Sequence, residues 1–319
     1  MNYDAFADML ARSILGLSIK RQVPLAELTT FQIGGPAEIV VEPKTQAEIV
    51  STVKACLQEN VCYRIIGLGS DILASDAGVD EVVIRLAENY AHINKTDLPT
   101  PLRSLKDTHQ AVYVEAGASN ELVADTLCGW GLAGYEFACG IPGTIGGAAI
   151  MNAGAYDGEF SNVAYKVRCI DANGHVVEVD REHADWSYRH SMMDEAGFVV
   201  LGAYLVLATD EQAAITARMQ DLQRKRAEKQ PLEMPSAGST FKRPKGYFAG
   251  KLIQDAGLRG FQVGGAQVSQ KHTGFVVNAQ GATAKDVCDL IEQVQIRVYE
   301  SAGVWLEPEV RMWGFEEKE

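Results

Sequence analysis

A first glycine-rich segment, Gly67-Leu68-Gly69-Ser70, follows an apolar run that is typical of a β-strand. Backbone N–H groups at the end of such a strand can donate hydrogen bonds to phosphate oxygens, and glycine lets the backbone approach the ligand closely. The dinucleotide fingerprint GxGxxG does not fit, because position 72 is isoleucine and turn-like residues 74–78 stand where a long helix is needed. An ordinary β-turn is the alternative interpretation.

A second segment, residues 140–158, is dense in glycine and other small residues. Such a segment lets the backbone lie flat against a large planar or phosphorylated ligand, and the amide of Asn152 could contact a polar edge of that ligand. The alternative is a tight contact between two helices made of small residues. Two glycine-rich cradles in one region favour the hypothesis of a dinucleotide ligand.

Three further segments carry side chains suited to anion binding and proton transfer. Arg189 beside Tyr188 offers a bidentate donor, Ser239 presents a hydroxyl in a tight turn, and Glu307 and Glu309 share one face of a predicted strand. Each has a structural alternative, namely a salt-bridged surface arginine, a turn with ordinary serines, and a solvated strand face. The surroundings of Ser239 do not match the GxSxG elbow of hydrolases.

The chain of 319 residues is acidic, with 29 Lys and Arg residues, 42 Asp and Glu residues and a formal net charge of −13. Binding to duplex nucleic acid or to anionic lipid requires a basic face, so no nucleic-acid or membrane partner is expected. Positive charge is nevertheless concentrated after Ser239, where it would suit a diphosphate ligand, at Lys242, Arg243, Lys245 and Lys251. A solvated basic surface is the alternative.

The cysteines and the N-terminal sequence indicate the compartment. No two of the six cysteines have CxxC spacing, which argues against a zinc or redox pair, and scattered cysteines suit a reducing cytosol. No metal site is predicted. The first ten residues contain no Lys or Arg, unlike a secretory signal, and the longest apolar run, 198–208, is shorter than the ~20 residues that span a bilayer. We therefore expect a cytoplasmic protein.

The helices and strands that must position these residues are arranged differently in two regions of the chain. Up to residue 229 the periodicity predicts helices over 3–16, 46–59, 119–127 and 210–229, strands over 38–41, 63–66, 82–86, 111–115 and 198–207, and a hairpin over 163–179 that turns at Asn173-Gly174. Beyond residue 231 it predicts a compact α+β unit, with helices over 248–255 and 284–300 and strands over 266–269, 273–278 and 305–313.

Five motifs carry a resemblance to a known family. They are GIPGTIGG…MNAGAYDGE (140–159), SYRHS (187–191), GSTFKRP (238–244), KHTGFVVN (271–278) and LEPEVR (306–311). In this order they resemble the UDP-N-acetylenolpyruvoylglucosamine reductase family, flavoenzymes of peptidoglycan precursor synthesis, and the similarity runs from Thr30 to Arg311. Each motif alone is modest support, whereas five in the family's order leave little room for accident.

The resemblance implies an α+β fold with an FAD-binding domain of the vanillyl-alcohol-oxidase (PCMH) type, followed by an α+β substrate-binding domain. The expected FAD-binding domain covers residues 1–212, in subdomains of about 1–88 and 89–212, and the substrate-binding domain covers 213–319. One subtype of the family inserts a tyrosine-bearing loop after SYRHS. Here the next strand is predicted within about ten residues, so the chain is similar to the type II form.

The resemblance also implies FAD and NADPH as cofactors and a UDP-linked enolpyruvyl sugar as the small-molecule substrate of a monomer. The expected cofactor contacts are Ile66, Gly67, Leu68, Gly69, Ser70, Asp71, Gly140, Pro142, Gly143, Thr144, Gly147, Asn152 and Gly154. The expected substrate contacts are Tyr156, Tyr188, Lys225, Arg243 and Lys251. In the implied reaction Arg189 and Glu309 stabilise an enolate that forms after hydride transfer from flavin N5, and Ser239 protonates it.

Position 71 departs from the family pattern. The family usually has Gly-Gly-Gly-Ser-Asn over 67–71, whereas this chain has Gly-Leu-Gly-Ser-Asp. Asp71 brings negative charge near the expected phosphates, or it hydrogen-bonds a backbone N–H or a sugar hydroxyl instead. The departure leaves the role of Asp71 open.

Two other classes of function stay open. A flavin-dependent oxidase of the same FAD fold would keep the glycine segments but leave the C-terminal motifs unexplained. A non-catalytic nucleotide-binding module would need no arrangement of Arg189, Ser239 and Glu309.

Overall fold

The computed structural model describes residues 2–315. The α-helices are α1 Tyr3–Ser13, α2 Gln46–Gln58, α3 Asn120–Gly129, α4 Ile145–Met151, α5 Phe160–Val163, α6 Met192–Glu195, α7 Gln212–Lys229, α8 Ala249–Asp255 and α9 Ala284–Ala302. Short 3₁₀ helices cover Leu25–Glu27, Thr100–Leu105, Glu136–Ala138 and Arg181–His183.

The strands are short apart from a few long ones in the central sheets. They are β1 Ser18–Pro24, β2 Pro36–Glu42, β3 Tyr63–Ile66, β4 Ile72–Ala74, β5 Val79–Arg85, β6 Ile93–Thr96, β7 His109–Glu115, β8 Leu132–Ala133, β9 Gly154–Ala155, β10 Gly158–Glu159, β11 Ala164–Ile170, β12 Val176–Asp180, β13 Val199–Thr209, β14 Ser236–Ser239, β15 Gln262–Val263, β16 Ala266–Val268, β17 Phe275–Asn278 and β18 Arg311–Trp313.

The chain forms two compact units. Of the described residues, the first unit comprises 2–20, 39–68 and 82–225, and the second comprises 21–38, 69–81 and 226–315. Neither unit is contiguous in sequence, and the last boundary between them falls within α7, between Lys225 and Arg226. The assignment of FAD binding to 1–212 and of substrate binding to 213–319 stays a prediction.

The first unit is built around an antiparallel sheet with the order β12-β11-β13-β7-β6, to which β8 adds beside β13. The first unit also holds part of a second sheet, which has the order β1-β2-β5-β3, including β3 and the residues 82–85 of β5 that pair with it in parallel. Helices α2, α3 and α4 bury apolar side chains in one continuous core, with Ile49, Leu127 and Ile145 fully or almost fully enclosed. Thr45 and Ser119 accept hydrogen bonds from the first turns of α2 and α3, as predicted from the sequence.

The second unit has an antiparallel sheet with the order β14-β17-β16-β15 and the helices α8 and α9. The buried stripe Val287, Leu290, Val294 and Val298 on α9 has helical spacing and joins the core of this unit. Thr283 and Asp286 form a capping box at the start of α9, and Gly303 ends the helix with a φ of 68°.

Two predicted elements differ from the structure. The 305–313 strand is wrong for residues 305–310, which form no regular strand and make a single antiparallel bridge at Pro308, whereas Arg311–Trp313 pairs in parallel with the three-residue β4. The 163–179 hairpin turns at Asn173-Gly174 as predicted, but through the three residues 172–174, because the Asp171 N–H donates to the His175 carbonyl at 2.9 Å. The Asp171 carboxylate accepts from the N–H groups of Asn173 and His175, which favours this longer loop over a two-residue turn. Among residues 2–315, no helix has the length and apolar character needed to cross a membrane.

Candidate functional site

The two glycine-rich segments meet within the first unit at Gly67 and Thr144. A side chain at Gly67 would place its Cβ 2.3 Å from the Thr144 Oγ1, so this approach requires glycine. Thr144 is buried and immediately precedes α4. The end of β3 and the start of α4 therefore lie side by side.

Residues 116–120 support the second glycine segment, a role that their sequence did not predict. The carbonyl oxygens of Ala116 and Ala118 accept from the N–H groups of Gly146 and Ile145 at 2.8 and 2.9 Å, and the Asn120 N–H donates to the Gly143 carbonyl at 3.0 Å. The run Gly-Ala-Ser over 117–119 was the available signal, because small residues in a row after a strand allow close backbone approach.

The glycines of the second segment serve different purposes. Gly140 and Gly143 have φ values of 78° and 134°, which other residues rarely adopt. Gly146 packs against Ala116, where a Cβ would lie 3.2 Å from the Ala116 Cβ. Gly147 is exposed, and a Cβ there would find only the Thr144 Oγ1, at 4.0 Å, so the fold itself has no need of glycine at this position.

Asn152 ends α4 in the left-handed conformation, with a φ of 43°, and is buried. Its Oδ1 accepts from the Ser161 N–H at 2.9 Å, and its Nδ2 donates to the Ser187 carbonyl at 3.3 Å. The amide that was expected to contact a ligand is therefore engaged inside the first unit. Its observed contribution is to join the glycine segment to the Ser187 turn.

Two tight turns present the aromatic candidates. Tyr156 and Asp157 both have positive φ values, 50° and 64°, at the tip of the β9-β10 hairpin, as in a type I′ turn. Tyr188 and Arg189 form the tip between Ser187 and His190, which pair by a mutual backbone bridge. Both tyrosine side chains are exposed.

Arg189 sits in a strained conformation, with a φ of 56°, and its guanidinium lies 5.0 Å from the centre of the Tyr188 ring. Its loop is anchored to α4, because the Trp186 Nε1–H donates to the Ala149 carbonyl and the Ser191 hydroxyl to the Ile150 carbonyl, both at 2.8 Å. The first unit therefore brings SYRHS and the second glycine segment together. Residues 192–198, all of them described, hold only α6 before β13 begins, as the type II interpretation requires.

Ser239 and Glu309 lie on adjacent segments of the second unit. The Glu309 N–H donates to the Thr240 carbonyl at 2.8 Å, and Phe241 pairs with Pro308. Glu307 extends into solvent, with a side chain 73% exposed and 3.6 Å from the Lys242 Nζ, whereas Glu309 is half-buried. The two glutamates are therefore in different environments although the sequence placed them on one face.

The KHTGFVVN motif borders Ser239. Phe275 is the strand partner of Ser239, and the Gly274 carbonyl accepts from the Thr240 N–H at 2.9 Å. Burial and the nearby charges of Arg259 and Lys229 lower the pKa of His272, so this ring is neutral at pH 7. The ring's Nδ1 accepts from the Gly274 N–H at 3.2 Å, which makes the histidine a support for this turn.

The basic candidates have partners close by. Lys225 pairs with Asp221 and Lys251 with Asp255, each one turn away on the same helix, and all four side chains are largely exposed. The Arg243 guanidinium lies over the exposed Phe248 ring, 4.0 Å from its centre. Lys225 and Lys251 thus resemble solvated helix faces, whereas Arg243 is held on an aromatic surface. As substrate contacts all three stay predictions.

The first glycine segment ends in the second unit, where Gly69 has a φ of 60° and a Cβ would lie 2.2 Å from the Leu28 carbonyl oxygen. The Gly69 carbonyl accepts from the Thr30 N–H at 3.2 Å, and the Thr30 hydroxyl donates to the Ser236 carbonyl at 2.7 Å. Residues 28–30 therefore connect this loop with the strand that carries Ser239.

Known proteins resemble this chain along almost its whole length. The profile described as "FAD binding domain" matches residues 37–180, and the one described as "UDP-N-acetylenolpyruvoylglucosamine reductase, C-terminal domain" matches residues 230–313. The UDP-N-acetylenolpyruvoylglucosamine reductase of Clostridium perfringens (strain SM101 / Type A) is 47% identical over 91% of both chains. That of Clostridium beijerinckii is 41% identical over 98% of this chain and 99% of its own.

The chain belongs to the UDP-N-acetylenolpyruvoylglucosamine reductase family. The crystal structure of the family member from Thermus caldophilus agrees, with a TM-score of 0.77 and 33% identity over 93% of this chain and 99% of that one. The expected fold class is thereby confirmed, as is an FAD-dependent oxidoreductase of peptidoglycan precursor synthesis with FAD and NADPH as cofactors.

The glycine segments fit an FAD cofactor. Gly147 leaves space beside α4 that the protein does not fill, and the close approach at Gly67 places the two segments together. These are the conditions under which backbone groups can reach a pyrophosphate or a planar ring.

Proposed function

We propose that the chain catalyses the NADPH-dependent reduction of UDP-N-acetylglucosamine enolpyruvate to UDP-N-acetylmuramate. The main support is the similarity to family members over more than nine-tenths of the chain, with the motifs in the family's order. When bound, FAD would carry hydride from NADPH to the vinyl carbon of the enolpyruvyl group. A proton must then be added at the neighbouring carbon, and this step is left to side chains of the protein.

Arg189, Ser239 and Glu309 are the proposed catalytic residues. The Arg189 guanidinium binds the enolpyruvyl carboxylate and stabilises the negative charge that develops when hydride arrives. Glu309 orients that carboxylate or holds a proton near it. Ser239 donates its hydroxyl proton to the enolate carbon, a strong base that a weak acid can protonate when it is well placed. Hydride and proton together saturate the double bond.

The proposal includes the binding residues. The cofactor contacts are the residues of the two glycine segments, and the substrate contacts are Tyr156, Tyr188, Lys225, Arg243 and Lys251, with Tyr156 and Arg243 acting on the diphosphate or uridine. It also includes FAD binding by residues 1–212 and substrate binding by residues 213–319. A cytoplasmic monomer with small-molecule partners, and with neither nucleic acid nor membrane, completes it.

An anaerobic absorption titration tests the reaction. NADPH is added first to the FAD-loaded protein, followed by the UDP-linked enolpyruvyl sugar. We expect NADPH to bleach the flavin band and the sugar to restore it, with one sugar consumed per flavin. Restoration only by air would support an oxidase of the same fold instead, and failure to take up FAD would favour a binding module.

A further inference from the structure

Asp71, the residue that departs from the family pattern, faces Arg311 within the second unit. The Arg311 Nε lies 3.8 Å from the Asp71 Oδ2, and the Arg311 N–H donates to the Asp71 carbonyl at 2.8 Å. Both side chains are about one-third exposed, at 38% and 31%. Asp71 adds a negative charge next to the first glycine-rich segment, and the positive charge of Arg311 therefore lies close to it.

The pair stands at one end of a short parallel ladder. Strand β4 begins directly after Asp71, and β18 begins at Arg311, with Arg311 paired to Ile72 and Trp313 to Ala74. Leu73 and Trp313 are buried, and the Ser75 N–H donates to the Trp313 carbonyl at 2.8 Å. Packing thus secures the far end of the ladder, whereas backbone and side-chain contacts between Asp71 and Arg311 secure the near end.

The near end of the ladder adjoins the first glycine-rich segment and the segment that carries Glu309. Gly69 and Ser70 precede Asp71, and Glu309 stands two residues before Arg311. The Glu309 N–H is in turn bonded to the Thr240 carbonyl, next to Ser239. One continuous path of contacts therefore links the glycine loop to both proposed catalytic groups of the second unit.

We propose that Asp71 is a positioning residue. Its carboxylate holds the Arg311 guanidinium, fixes the start of β18 and so sets Glu309 relative to the glycine loop. The proposal rests on the function proposed above for Glu309. It gives Asp71 a role toward Arg311 in place of a contact with a phosphate or a sugar hydroxyl.

A double-mutant cycle on the FAD-loaded protein tests this role. Asp71→Ala should slow reoxidation by the enolpyruvyl sugar ~10-fold through displacement of Glu309. Reduction by NADPH and the FAD dissociation constant should change less than about twofold, since no ligand contact is lost. Asp71→Asn keeps the size and one acceptor oxygen and should recover most of the rate. Arg311→Gln should match Asp71→Ala, and the double variant should be no slower than either single one.

Hydrogen–deuterium exchange gives a readout that does not depend on turnover. Amides of residues 309–313 should exchange faster in Asp71→Ala than in wild type, and those of α9 should not. Asp289→Asn, which removes the partner of Lys285 on α9, is the matched control and should alter neither exchange at 309–313 nor either half-reaction.

Two results would overturn the role of Asp71. Additive losses in the double variant would show that Asp71 and Arg311 act separately, and weaker FAD binding with unchanged reoxidation would assign Asp71 to the cofactor. If Asp71→Ala does not fold, Arg311→Gln carries the test alone, since it should still slow reoxidation ~10-fold and speed exchange at 309–313, and a wild-type result for both would overturn the role of the pair. Failure of the wild type to be reoxidised by the sugar would instead refute the proposed function, while the exchange experiment would still decide whether Asp71 holds β18.

Discussion

The glycine segment of the first unit and the Ser239 region of the second are built in opposite ways. The first takes its main features from one stretch, residues 140–158, and works through backbone conformation. The second assembles Ser239, Phe275 and Glu309, which are far apart in the chain, and works through side chains held by strand contacts. A local segment can be identified from sequence spacing, whereas an assembled one depends on every strand that aligns it.

Ser239→Ala is expected to cause the largest loss of activity of any change in the second region. Loss of a positioned proton donor should slow reoxidation by the enolpyruvyl sugar ~10³-fold, while NADPH still reduces the flavin at its normal rate. Stopped-flow absorbance of the two half-reactions measures both. Ser236→Ala on the same strand is the control and should behave as wild type. Reoxidation of the Ser239→Ala variant at the wild-type rate would show that Ser239 is not the proton donor.

Glu309→Gln sharpens the contrast between two glutamates of one motif. It should slow reoxidation ~10²-fold, because the half-buried carboxyl beside Thr240 is lost as an orienting or proton-holding group. Glu307→Gln, whose exposed carboxylate faces Lys242, should leave the rate unchanged. Equal effects of the two changes would indicate that only the charge of the 307–309 segment matters.

Glycine-to-alanine changes separate the two purposes of the first region. Gly147→Ala should leave the stability of the apoprotein unchanged or raise it by up to about 1 kcal/mol, because alanine favours the helix more than glycine does. The same variant should bind FAD ~10-fold more weakly, because the added methyl group enters the space of the ligand. At Gly67 the apoprotein itself should lose about 1–3 kcal/mol, since the Cβ meets Thr144. Thermal unfolding of the apoprotein and fluorescence titration with FAD distinguish these results. Unaltered FAD binding by Gly147→Ala would contradict the cradle at α4.

The smallest effect concerns stability away from both regions. Burial raises the pKa of Glu42, but hydrogen bonds from Lys20, Ser18 and Arg85 outweigh it, and the net pKa lies below its ordinary value of 4.5. A lowered folded-state pKa stabilises the fold above the unfolded-state value, and this stabilisation is lost as the pH falls through the folded-state pKa. Glu42→Gln weakens these charge-assisted hydrogen bonds and should cost about 1 kcal/mol at pH 7.

Urea unfolding of Glu42→Gln at several pH values measures this difference. The difference in unfolding free energy between wild type and Glu42→Gln should narrow once the pH falls below the ordinary glutamate pKa of 4.5, and it should close as the pH falls through the lowered folded-state pKa. Glu292→Gln on the exposed face of α9 is the control and should show no gap. A gap that stays constant down to low pH would mean that packing, and not charge, causes the loss.

Local signals predicted many elements closely. Strand β3 was expected over 63–66 and α2 over 46–59, and both are found there to within one residue. Thr45 and the periodic apolar residues of α2 suffice for this, because a cap and a 3.6-residue repeat are properties of the segment itself. Strands β4 and β18 were missed or misplaced, since three residues carry no detectable period and each strand exists only through its partner.

The sequence by itself determined the glycine segments, the helix caps, the order of the motifs and hence the family. These depend on backbone freedom and spacing within single stretches. Only the tertiary structure decided that the Asn152 amide forms hydrogen bonds within the protein and that Asp71 lies beside Arg311. It also decided that Glu307 is exposed whereas Glu309 is half-buried. These contacts join residues that are separated along the chain, so they depend on how the strands pack and align.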